Sequence, residues 1–444
     1  MSDKSPKVHF IANGSSIVHD LALNLQQIGY SVSVSDNSLN ETVDHKGLTI
    51  HNDWNTKRIS KELDMVIPDQ KLGADNPELQ EAQKLGLTIC SVPEFIFQKS
   101  INKQRIVITG THGKTTTTAM IMHVLKHFNK DFDYLVGSLP EGFESHAKLT
   151  KSAPIIIIEG SECPATPIDP TPEFLYYNHH IGLISGVEWR YADIYGTFDE
   201  YVKQFEKFAD ATPKAGILVF NENDDVATLI GRKEREDVQR VEYKTADFEI
   251  NNNQTTLING KEKIALNIFG KLNIKNLSGA RALCAKMGIT EEMFNQAIGS
   301  FKGVKDRLEV LGKTSETVVV KDVAHSPATL KASTTAVNKQ YPEYQHVAVY
   351  ELNPEDKQNS EYFKQYKDCL KGTDLPVIFI SKKAATSSDE LKKVFNKQEL
   401  KVFNEANALK EYLASLNWKQ KSLLLMSPSD FGGINSKTLA QSIL

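Results

Sequence analysis

The sequence has few cysteines, and they are far apart. Its 444 residues include four, at Cys90, Cys163, Cys284 and Cys369. No two of them form a CxxC pair, so neither a zinc knuckle nor a thiol redox motif is indicated. Scattered thiols in a large chain are typical of reduced proteins, which favours a cytoplasmic location.

The chain also lacks a long apolar run and a strong charge of either sign. No stretch approaches the roughly 20 apolar residues that span a bilayer, and the polar segment Met1–Lys7 does not resemble a signal peptide. The net charge is -4, with Lys and Arg spread along the chain. We therefore expect neither nucleic acid nor a membrane as partner. The oligomeric state is left open, and a monomer is compatible with the sequence.

Strand-like and helix-like segments alternate from end to end, which predicts an α/β fold of parallel sheets covered by helices. The length fits two to four domains. We predict three: a Rossmann-like N-terminal domain over 1–100, a central P-loop domain over 101–302 and a Rossmann-like C-terminal domain over 303–444.

Apolar runs place the predicted strands and helices of each block. The first block begins as a βαβ unit, with strands at 8–12 and 31–35 around a helix at 16–30, and such units bind ligands at strand ends. In the second block, strands are predicted at 105–109, 154–158, 181–185 and 216–220, helices at 114–128 and 198–209, and a hairpin or loop at 251–254. In the third, strands are predicted at 317–321, 346–351, 376–381, 400–403 and 422–427, and helices at 327–340 and 406–417.

A glycine loop at Gly110–Thr115 carries the strongest chemical signal. It has two residues between its glycines rather than the usual four, but it follows a strand and opens a helix as a phosphate loop does. Backbone N–H groups can close around phosphate oxygens there. Lys114 can reach the β- and γ-phosphates of ATP, and the Thr115 hydroxyl can bind Mg²⁺. A solvated turn is the weaker alternative.

Glu159 ends an apolar strand, at the edge where an open α/β sheet places its ligands. In a nucleotide site such a carboxylate can hold the metal. An ordinary charged residue leaving a buried strand explains its position equally well.

The run Ile108–Thr117 resembles the nucleotide loop of the Mur ligases, which join an amino acid or peptide to a UDP-muramoyl carboxylate. Further similar segments extend the resemblance over nearly the whole chain: Asp75–Leu79, Pro93-Glu94, Phe301–Glu309 and Asp322–Pro327. The resemblance implies ATP and Mg²⁺ as cofactors, and nucleotide-sugar and peptide substrates. Activation of the carboxylate as an acyl phosphate is implied too.

The resemblance also implies roles for individual residues. Lys114, Glu159 and Arg307 are implied as catalytic, and Thr115 and Glu159 as metal ligands. Nucleotide contacts are implied at Gly110, Thr111, His112, Gly113, Lys114, Thr115, Thr116, Asn273, Asn276, Arg307, Asp322 and His325. The residues alone leave simpler interpretations open for several of these: a salt-bridge partner for Arg307, a cap for Asp322, a structural histidine, and turn asparagines.

Some segments resemble the murein-peptide ligase branch of the family. They are Val136-Gly137 with Glu141–Glu144, Ser185–Trp189 and Ala324–Pro327. That branch couples a recycled tripeptide to UDP-N-acetylmuramate.

Several positions depart from the family pattern. The first-domain turn that holds the UDP-sugar would involve Gly14, Ser15, Ser16 and Asp36, but Gly14 is its only glycine, and side chains at Ala12 and Ser15 can obstruct a diphosphate. Arg190-Tyr191 replaces an Asp-His pair, and tyrosine is a poor Mg²⁺ ligand because its pKa is about 10. Ser161, Leu272 and Asp306 also differ from the residues usual at their positions.

Two hypotheses therefore stand. The chain is an ATP-dependent ligase with an altered metal site, or it is a Mur-ligase-like pseudoenzyme that keeps nucleotide binding. The phosphate loop, Glu159 and Arg307 favour the ligase. The lost glycines and the Arg190-Tyr191 pair favour the pseudoenzyme.

Overall fold

A computed structural model describes residues 5–190, 194–324, 326–353, 360–380 and 387–444. The chain packs as two compact units. The first holds most of residues 5–244 together with Gly279–Phe294, and the second holds Thr245–Ser278 and Asn295–Leu444. Sheets of mainly parallel strands with intervening helices occur in both units, which confirms the predicted α/β class. The division into three domains remains a prediction.

The first unit begins with a five-stranded sheet in the order β3-β4-β2-β1-β5. Its strands are β1 Lys7–Ala12, β2 Ser31–Asp36, β3 Val43–His45, β4 Leu48–His51 and β5 Met65–Pro68, and its helices are α1 Ser16–Gln27, α2 Pro77–Lys84 and α3 Val92–Lys99. A 3₁₀ turn covers Thr56–Arg58. β1 pairs in parallel with β2 and β5, so the ends of these three strands meet at one edge.

A seven-stranded sheet follows in the same unit, in the order β14-β13-β12-β6-β9-β7-β8. Its strands are β6 Gln104–Thr109, β7 Asp133–Leu135, β8 Ala147–Lys148, β9 Ile155–Glu159, β12 Ile181–Ile184, β13 Ile217–Asn221 and β14 Gln239–Tyr243. The helices are α4 Lys114–His127, α5 Glu173–Tyr176, α6 Phe198–Asp210 and α7 Asp225–Gly231, and β10 Pro164–Thr166 forms a hairpin with β11 Asp169–Pro172. The central strands β6, β9 and β12 are largely buried and each contains a run of apolar residues, as expected for a sheet covered on both faces.

Helix α1 is tied to the β7–β8 hairpin through Asp20. The Asp20 carboxylate accepts hydrogen bonds from His146 N at 2.8 Å and His146 Nδ1 at 2.7 Å, and it lies 3.0 Å from His45 Nε2. One turn further on, Asn24 Oδ1 accepts from Leu149 N at 3.0 Å. These contacts fix the first sheet against the second.

We expect the Asp20→Asn variant to lose part of the pH dependence of stability. Burial by itself raises the pKa of Asp20, but hydrogen bonds from His146 and His45 outweigh it and lower that pKa to about 2. Because the pKa of Asp20 is lower in the folded state than its unfolded value of 3.8, the ionised carboxylate stabilises the fold at pH values above 3.8. This contribution is lost as the pH falls towards 2 and the carboxylate becomes protonated. Urea unfolding between pH 5 and pH 2.5 should show a flatter profile for the variant.

The matched control for this experiment is Asp247→Asn, at an exposed position. It should keep the wild-type profile. Identical profiles for the wild type and Asp20→Asn would show that Asp20 does not stabilise the docking of α1.

The second unit contains an antiparallel three-stranded sheet and a six-stranded sheet in the order β18-β19-β23-β20-β21-β22. The strands are β15 Phe248–Asn251, β16 Gln254–Asn259, β17 Glu262–Leu266, β18 Glu309–Lys313, β19 Thr317–Asp322, β20 Gln345–Glu351, β21 Leu375–Phe379, β22 Lys401–Phe403 and β23 Lys421–Met426. The helices are α8 Lys271–Lys286, α9 Glu291–Ile298, α10 Pro327–Gln340, α11 Ser360–Lys364, α12 Ser388–Phe395, α13 Ala406–Ser415 and α14 Ser436–Ile443, and the boundary between the units falls within α8 and α9.

The predicted strands and helices are present, with small shifts at their ends. α1 stops at Gln27 rather than Tyr30, because Gly29 adopts a φ of +100° that ends the helix. The hairpin at 251–254 is confirmed, with Asn252 and Asn253 at positive φ. The sequence pattern does not predict short antiparallel strands such as β3 and the β10–β11 hairpin. No helix in the described part of the chain is both long and apolar enough to cross a membrane.

Candidate active site

The glycine loop lies between β6 and α4, at the carboxyl edge of the central sheet. Gly110 has a φ of +127° and Gly113 a φ of +86°, so both adopt conformations that glycine tolerates best. A Cβ at Gly110 would lie 2.2 Å from Ser185 Oγ and 2.9 Å from Ser185 N. The loop therefore has no room for a side chain at Gly110, and α4 directs its free N–H groups at the space beside it.

Lys114 extends across the loop from the first turn of α4. Its Nζ donates to Gly110 O at 2.7 Å and to Glu162 Oε2 at 2.7 Å. The Glu162 side chain is fully buried, and Tyr201 OH donates to its Oε1 at 3.3 Å. The ion pair balances the buried charge of Glu162 and holds the ammonium group of Lys114 at the loop.

Thr115 and Glu159 lie together at the ends of α4 and β9. The Thr115 hydroxyl donates to Glu159 Oε1 at 2.6 Å, and Gly137 N donates to Glu159 Oε2 at 2.7 Å. A hydroxyl oxygen beside a carboxylate is the oxygen donor set that Mg²⁺ prefers when phosphates supply further ligands. Among the described residues no group of three or more His, Cys, Asp or Glu is arranged to hold a metal.

Thr111 and His112 are held from the β12 side of the loop. Thr111 N donates to Gly186 O at 2.9 Å, and Glu188 N donates to Thr111 Oγ1 at 2.9 Å. Ser185 Oγ donates to His112 O at 2.5 Å, and His112 Nε2 lies 2.9 Å from Glu188 Oε2. Thr116 is buried in the first turn of α4. The loop is thus braced by backbone and side-chain hydrogen bonds.

The turn after β1 is organised by Asp36 at the end of β2. Gly14 N donates to both carboxylate oxygens of Asp36, at 2.9 and 3.1 Å, and His19 Nε2 lies 2.7 Å from Asp36 Oδ2. Burial raises the pKa of Asp36, but hydrogen bonds from Ser38 and Gly14 more than compensate, so the net pKa is lowered. The Asp36 carboxylate therefore lies at the turn for which the sequence resemblance predicts a UDP-sugar.

Ser15 and Ser16 open helix α1 beside this turn. The Ser15 hydroxyl caps the helix by accepting from Val18 N at 3.4 Å. Ser15 also lines a cavity of about 190 Å³ that reaches Glu159, and Ser16 is exposed in the first turn of the helix. Ser15 therefore faces the phosphate-loop side of the unit, whereas Asp36 stabilises the turn.

The same cavity is lined by residues that the sequence pattern does not single out: Asp69, Gln70, Glu173 and Tyr177. Burial raises the pKa of Asp69, and burial together with nearby carboxylates raises the pKa of Glu173 to about 8. Asp69 directly follows the apolar strand β5, a signal like that of Glu159. Glu173 and Tyr177 follow an irregular hairpin and carry no comparable signal.

The remaining predicted nucleotide residues belong to the second unit. Asn273 and Asn276 lie on α8. Asn273 Nδ2 donates to Phe269 O at 2.9 Å, and buried Asn276 Oδ1 has no partner among the described residues. Asp322 ends β19 and accepts from Leu308 N at 3.2 Å. Burial raises its pKa, which the hydrogen bond from Ser333 and the charge of Arg307 oppose.

The structure describes several of the residues at which the sequence departs from the family pattern. Asp306 forms an ion pair with Lys321 at 2.8 Å, and Ser161 Oγ accepts from Cys163 N at 3.1 Å. Leu272 lies in the first turn of α8 and is partly buried. Tyr191 and His325 lie outside the described residues.

Comparison with known proteins finds similar sequences and structures. The Mur ligase middle domain matches residues 108–284, which include the glycine loop and Glu159. Over these residues the chain is similar to the Mur ligases. The chain is 29% identical, over 91% of its own length and 90% of the relative's, to UDP-N-acetylmuramate–L-alanine ligase of Clostridium acetobutylicum.

Solved structures of this family share the fold over almost the full chain. UDP-N-acetylmuramate-alanine ligase of Thermotoga maritima superposes with a TM-score of 0.74 at 20% identity, covering 97% of both chains. A murein peptide ligase of Psychrobacter arcticus gives a TM-score of 0.69 at 18% identity, covering 99% of both. Similarity to both kinds of Mur ligase does not assign the chain to the murein-peptide branch.

Proposed function

We propose that this chain is an ATP-dependent amide ligase of the Mur ligase family that acts in peptidoglycan precursor synthesis or recycling. It joins the amine of an amino acid or muropeptide to a UDP-N-acetylmuramate-type carboxylate. The observation that carries the proposal is the braced phosphate loop, with Lys114, Thr115 and Glu159 together at the edge of the central sheet. Curated relatives that act on UDP-N-acetylmuramate support the carboxylate substrate.

The residues suit transfer of the γ-phosphoryl group to a carboxylate. The loop N–H groups and Lys114 bind and neutralise phosphate oxygens, so the charge that develops during transfer is stabilised. Thr115 and Glu159 would hold Mg²⁺ together with the nucleotide, and the ion would supply further charge neutralisation. The resulting acyl phosphate is attacked by the amine, and phosphate leaves. Arg307, Asn273, Asn276, Asp322 and His325 are proposed nucleotide contacts from the rest of the chain.

A pseudoenzyme that only binds nucleotide is the alternative that the sequence leaves open. The contacts of Lys114 and Glu159 support the ligase, because both side chains lie beside the loop that we propose to bind the phosphates. The altered turn at Gly14 affects binding of the proposed UDP-sugar substrate rather than binding of ATP. The Gly14 N–H already donates a hydrogen bond to Asp36. Serine hydroxyls at Ser15 and Ser16 are proposed to replace lost contacts to the UDP-sugar.

The deciding experiment combines binding and turnover. Mg–ATP and UDP-N-acetylmuramate are titrated separately into the protein by calorimetry. ADP release and product mass are then measured with L-alanine and with the tripeptide L-Ala-γ-D-Glu-meso-diaminopimelate as amines. We expect both ligands to bind and one amine to give an amide product. Binding of Mg–ATP without any product from either amine would favour the pseudoenzyme.

Glu159→Gln provides a second test in the same assay. Loss of the carboxylate charge should raise the Mg²⁺ concentration needed for half-maximal turnover by about tenfold or more. The matched control is Glu206→Gln on the exposed face of α6, which should behave as wild type. An unchanged Mg²⁺ requirement in Glu159→Gln would remove Glu159 from the metal site.

A further inference from the structure

Helix α1 is linked to Glu159 by a series of hydrogen bonds that lies outside the glycine loop. The series begins at Asp20, which is buried and accepts from His146 N at 2.8 Å and from His146 Nδ1 at 2.7 Å. The pKa of Asp20 is about 2, so its carboxylate is ionised at neutral pH and accepts strong hydrogen bonds. His146 is the last residue of the 136–146 loop, which joins β7 to β8. Asp20 therefore holds this end of the loop against α1.

The other end of the 136–146 loop contacts Glu159. Val136 N donates to His146 O at 2.9 Å, so the two ends of the loop are bonded to each other. The next residue, Gly137, donates its N–H to Glu159 Oε2 at 2.7 Å. A Cβ at Gly137 would lie only 3.0 Å from Glu159 Oε2, so the close approach of backbone and carboxylate depends on glycine. The position of Glu159 therefore depends on how this loop is held.

The orientation of Glu159 matters because of the metal that this carboxylate is proposed to hold. A group that donates a hydrogen bond to a metal-binding carboxylate orients it, and loss of such a group typically weakens metal binding by about 10–100-fold. Gly137 N is such a donor, on the oxygen opposite to the one that accepts from Thr115. A residue that holds the loop thus acts on the metal site without touching it.

We propose that Asp20 is a positioning residue for Glu159. Through His146 and the 136–146 loop, it keeps Gly137 N against the carboxylate. The inference rests on the proposed ligase function, in which Glu159 binds Mg²⁺, and adds to it a residue of the first sheet's helix. Because α1 also follows the turn predicted to bind the UDP-sugar, the same helix contributes to both predicted ligand sites.

Asn24 provides a matched control on the same helix. It lies one turn after Asp20, and its Oδ1 accepts from Leu149 N at 3.0 Å, beyond β8 and outside the loop. The neighbouring Thr150 is held independently by Asp133, whose carboxylate accepts from Thr150 N and Oγ1 at 2.9 Å each. Asn24→Ala should therefore weaken the contact between α1 and the hairpin without loosening the loop.

The first measurement is hydrogen exchange of the Val136 and Gly137 amides, followed by NMR on the full chain without ligands. Asp20→Ala should speed their exchange by about tenfold or more, because both amides depend on the loop that Asp20 holds. His146→Ala keeps the backbone bond to Asp20 and so disturbs folding less. It should give a smaller increase in the same direction, whereas Asn24→Ala should match the wild type.

The second measurement is the Mg²⁺ concentration that gives half-maximal ATP binding, determined by calorimetry. Asp20→Ala should raise this concentration by about threefold or more, because a less ordered Glu159 binds the ion more weakly. Asp20→Asn keeps an oxygen that can accept from His146 N, so it should have a smaller effect than Asp20→Ala. Asn24→Ala should leave the Mg²⁺ requirement unchanged.

Unchanged exchange of the Gly137 amide in Asp20→Ala and His146→Ala would overturn the proposal. An equally large increase in Asn24→Ala would overturn it too, because the effect would then come from general loosening of α1. So would faster exchange in Asp20→Ala with an unchanged Mg²⁺ requirement. Absence of ATP binding by the wild type would contradict the proposed ligase function, and hydrogen exchange would still decide whether Asp20 holds the loop.

Discussion

Replacing Lys114 with alanine is expected to abolish ATP turnover and to weaken Mg–ATP binding by about a hundredfold or more. The Lys114 ammonium group lies at the glycine loop, 2.7 Å from Gly110 O, where it can neutralise the β- and γ-phosphates. Loss of two charge-assisted hydrogen bonds to phosphate, each worth about 1.5–3 kcal/mol, accounts for an effect of that size. Calorimetry with Mg–ATP and an ADP-release assay measure the two effects.

The same substitution also removes the partner of a buried charge. Glu162 is fully buried and lies 2.7 Å from Lys114 Nζ, so Lys114→Ala should lower the free energy of unfolding by about 3 kcal/mol. The double variant Lys114→Ala/Glu162→Gln separates the two effects, because it removes the uncompensated charge. We expect urea unfolding to show most of the stability restored in the double variant and nucleotide binding still lost.

Recovery of Mg–ATP binding together with stability in the double variant would contradict the phosphate-binding role of Lys114. So would wild-type turnover in Lys114→Ala. In either case the Lys114–Glu162 pair would serve only to stabilise the loop.

Gly110→Ala is the second substitution with a large expected effect. Its φ of +127° is unfavourable for any side chain, and the new Cβ would lie 2.2 Å from Ser185 Oγ and 3.0 Å from Gly186 O. The loop must therefore move away from β12, which breaks the hydrogen bond from Thr111 N to Gly186 O. We expect a loss of about 3 kcal/mol in the free energy of unfolding and no measurable Mg–ATP binding.

Gly29→Ala is the matched control for backbone conformation. Gly29 also has a positive φ, of +100°, but a Cβ added there would have no other atom within 4 Å. The substitution should cost only about 1 kcal/mol and leave Mg–ATP binding intact. If the two variants lose similar stability and both bind Mg–ATP, the close packing of Gly110 against Ser185 is not what shapes the nucleotide site.

The elements that the sequence predicts best are those whose signal is local. β6, β9 and β12 each contain a short run of apolar residues, and the glycine loop is defined by residues adjacent in the chain. Glu159 is predictable for the same reason, because it directly ends an apolar strand. The short antiparallel strands β3, β10 and β11 escape prediction, since three or four residues of mixed polarity show no clear period.

The site also contains side chains that are distant in sequence, and no local sequence pattern predicts that they lie close together. Glu162 follows β9 in a short polar run with no separate signal, yet it forms the ion pair of Lys114 across 48 positions of sequence. Glu173 and Tyr177 sit on and just after a four-residue helix that only the β10–β11 hairpin brings to the cavity. The family resemblance implies that Asp36 lies beside a UDP-sugar. In the structure Asp36 also accepts a hydrogen bond from Gly14 N, which the sequence does not predict.

The sequence by itself determined the α/β class, and it predicted a phosphate loop and a resemblance to a ligase family, because each of these signals lies in contiguous residues with a characteristic spacing. The tertiary structure alone decided which charges are compensated. Lys114 is paired with Glu162 and Asp36 with the Gly14 N–H, while Glu173 and Tyr177 face a cavity with no hydrogen-bond partner among the described residues. Burial and charge balance depend on groups that meet only when distant strands align, so no local pattern can encode them.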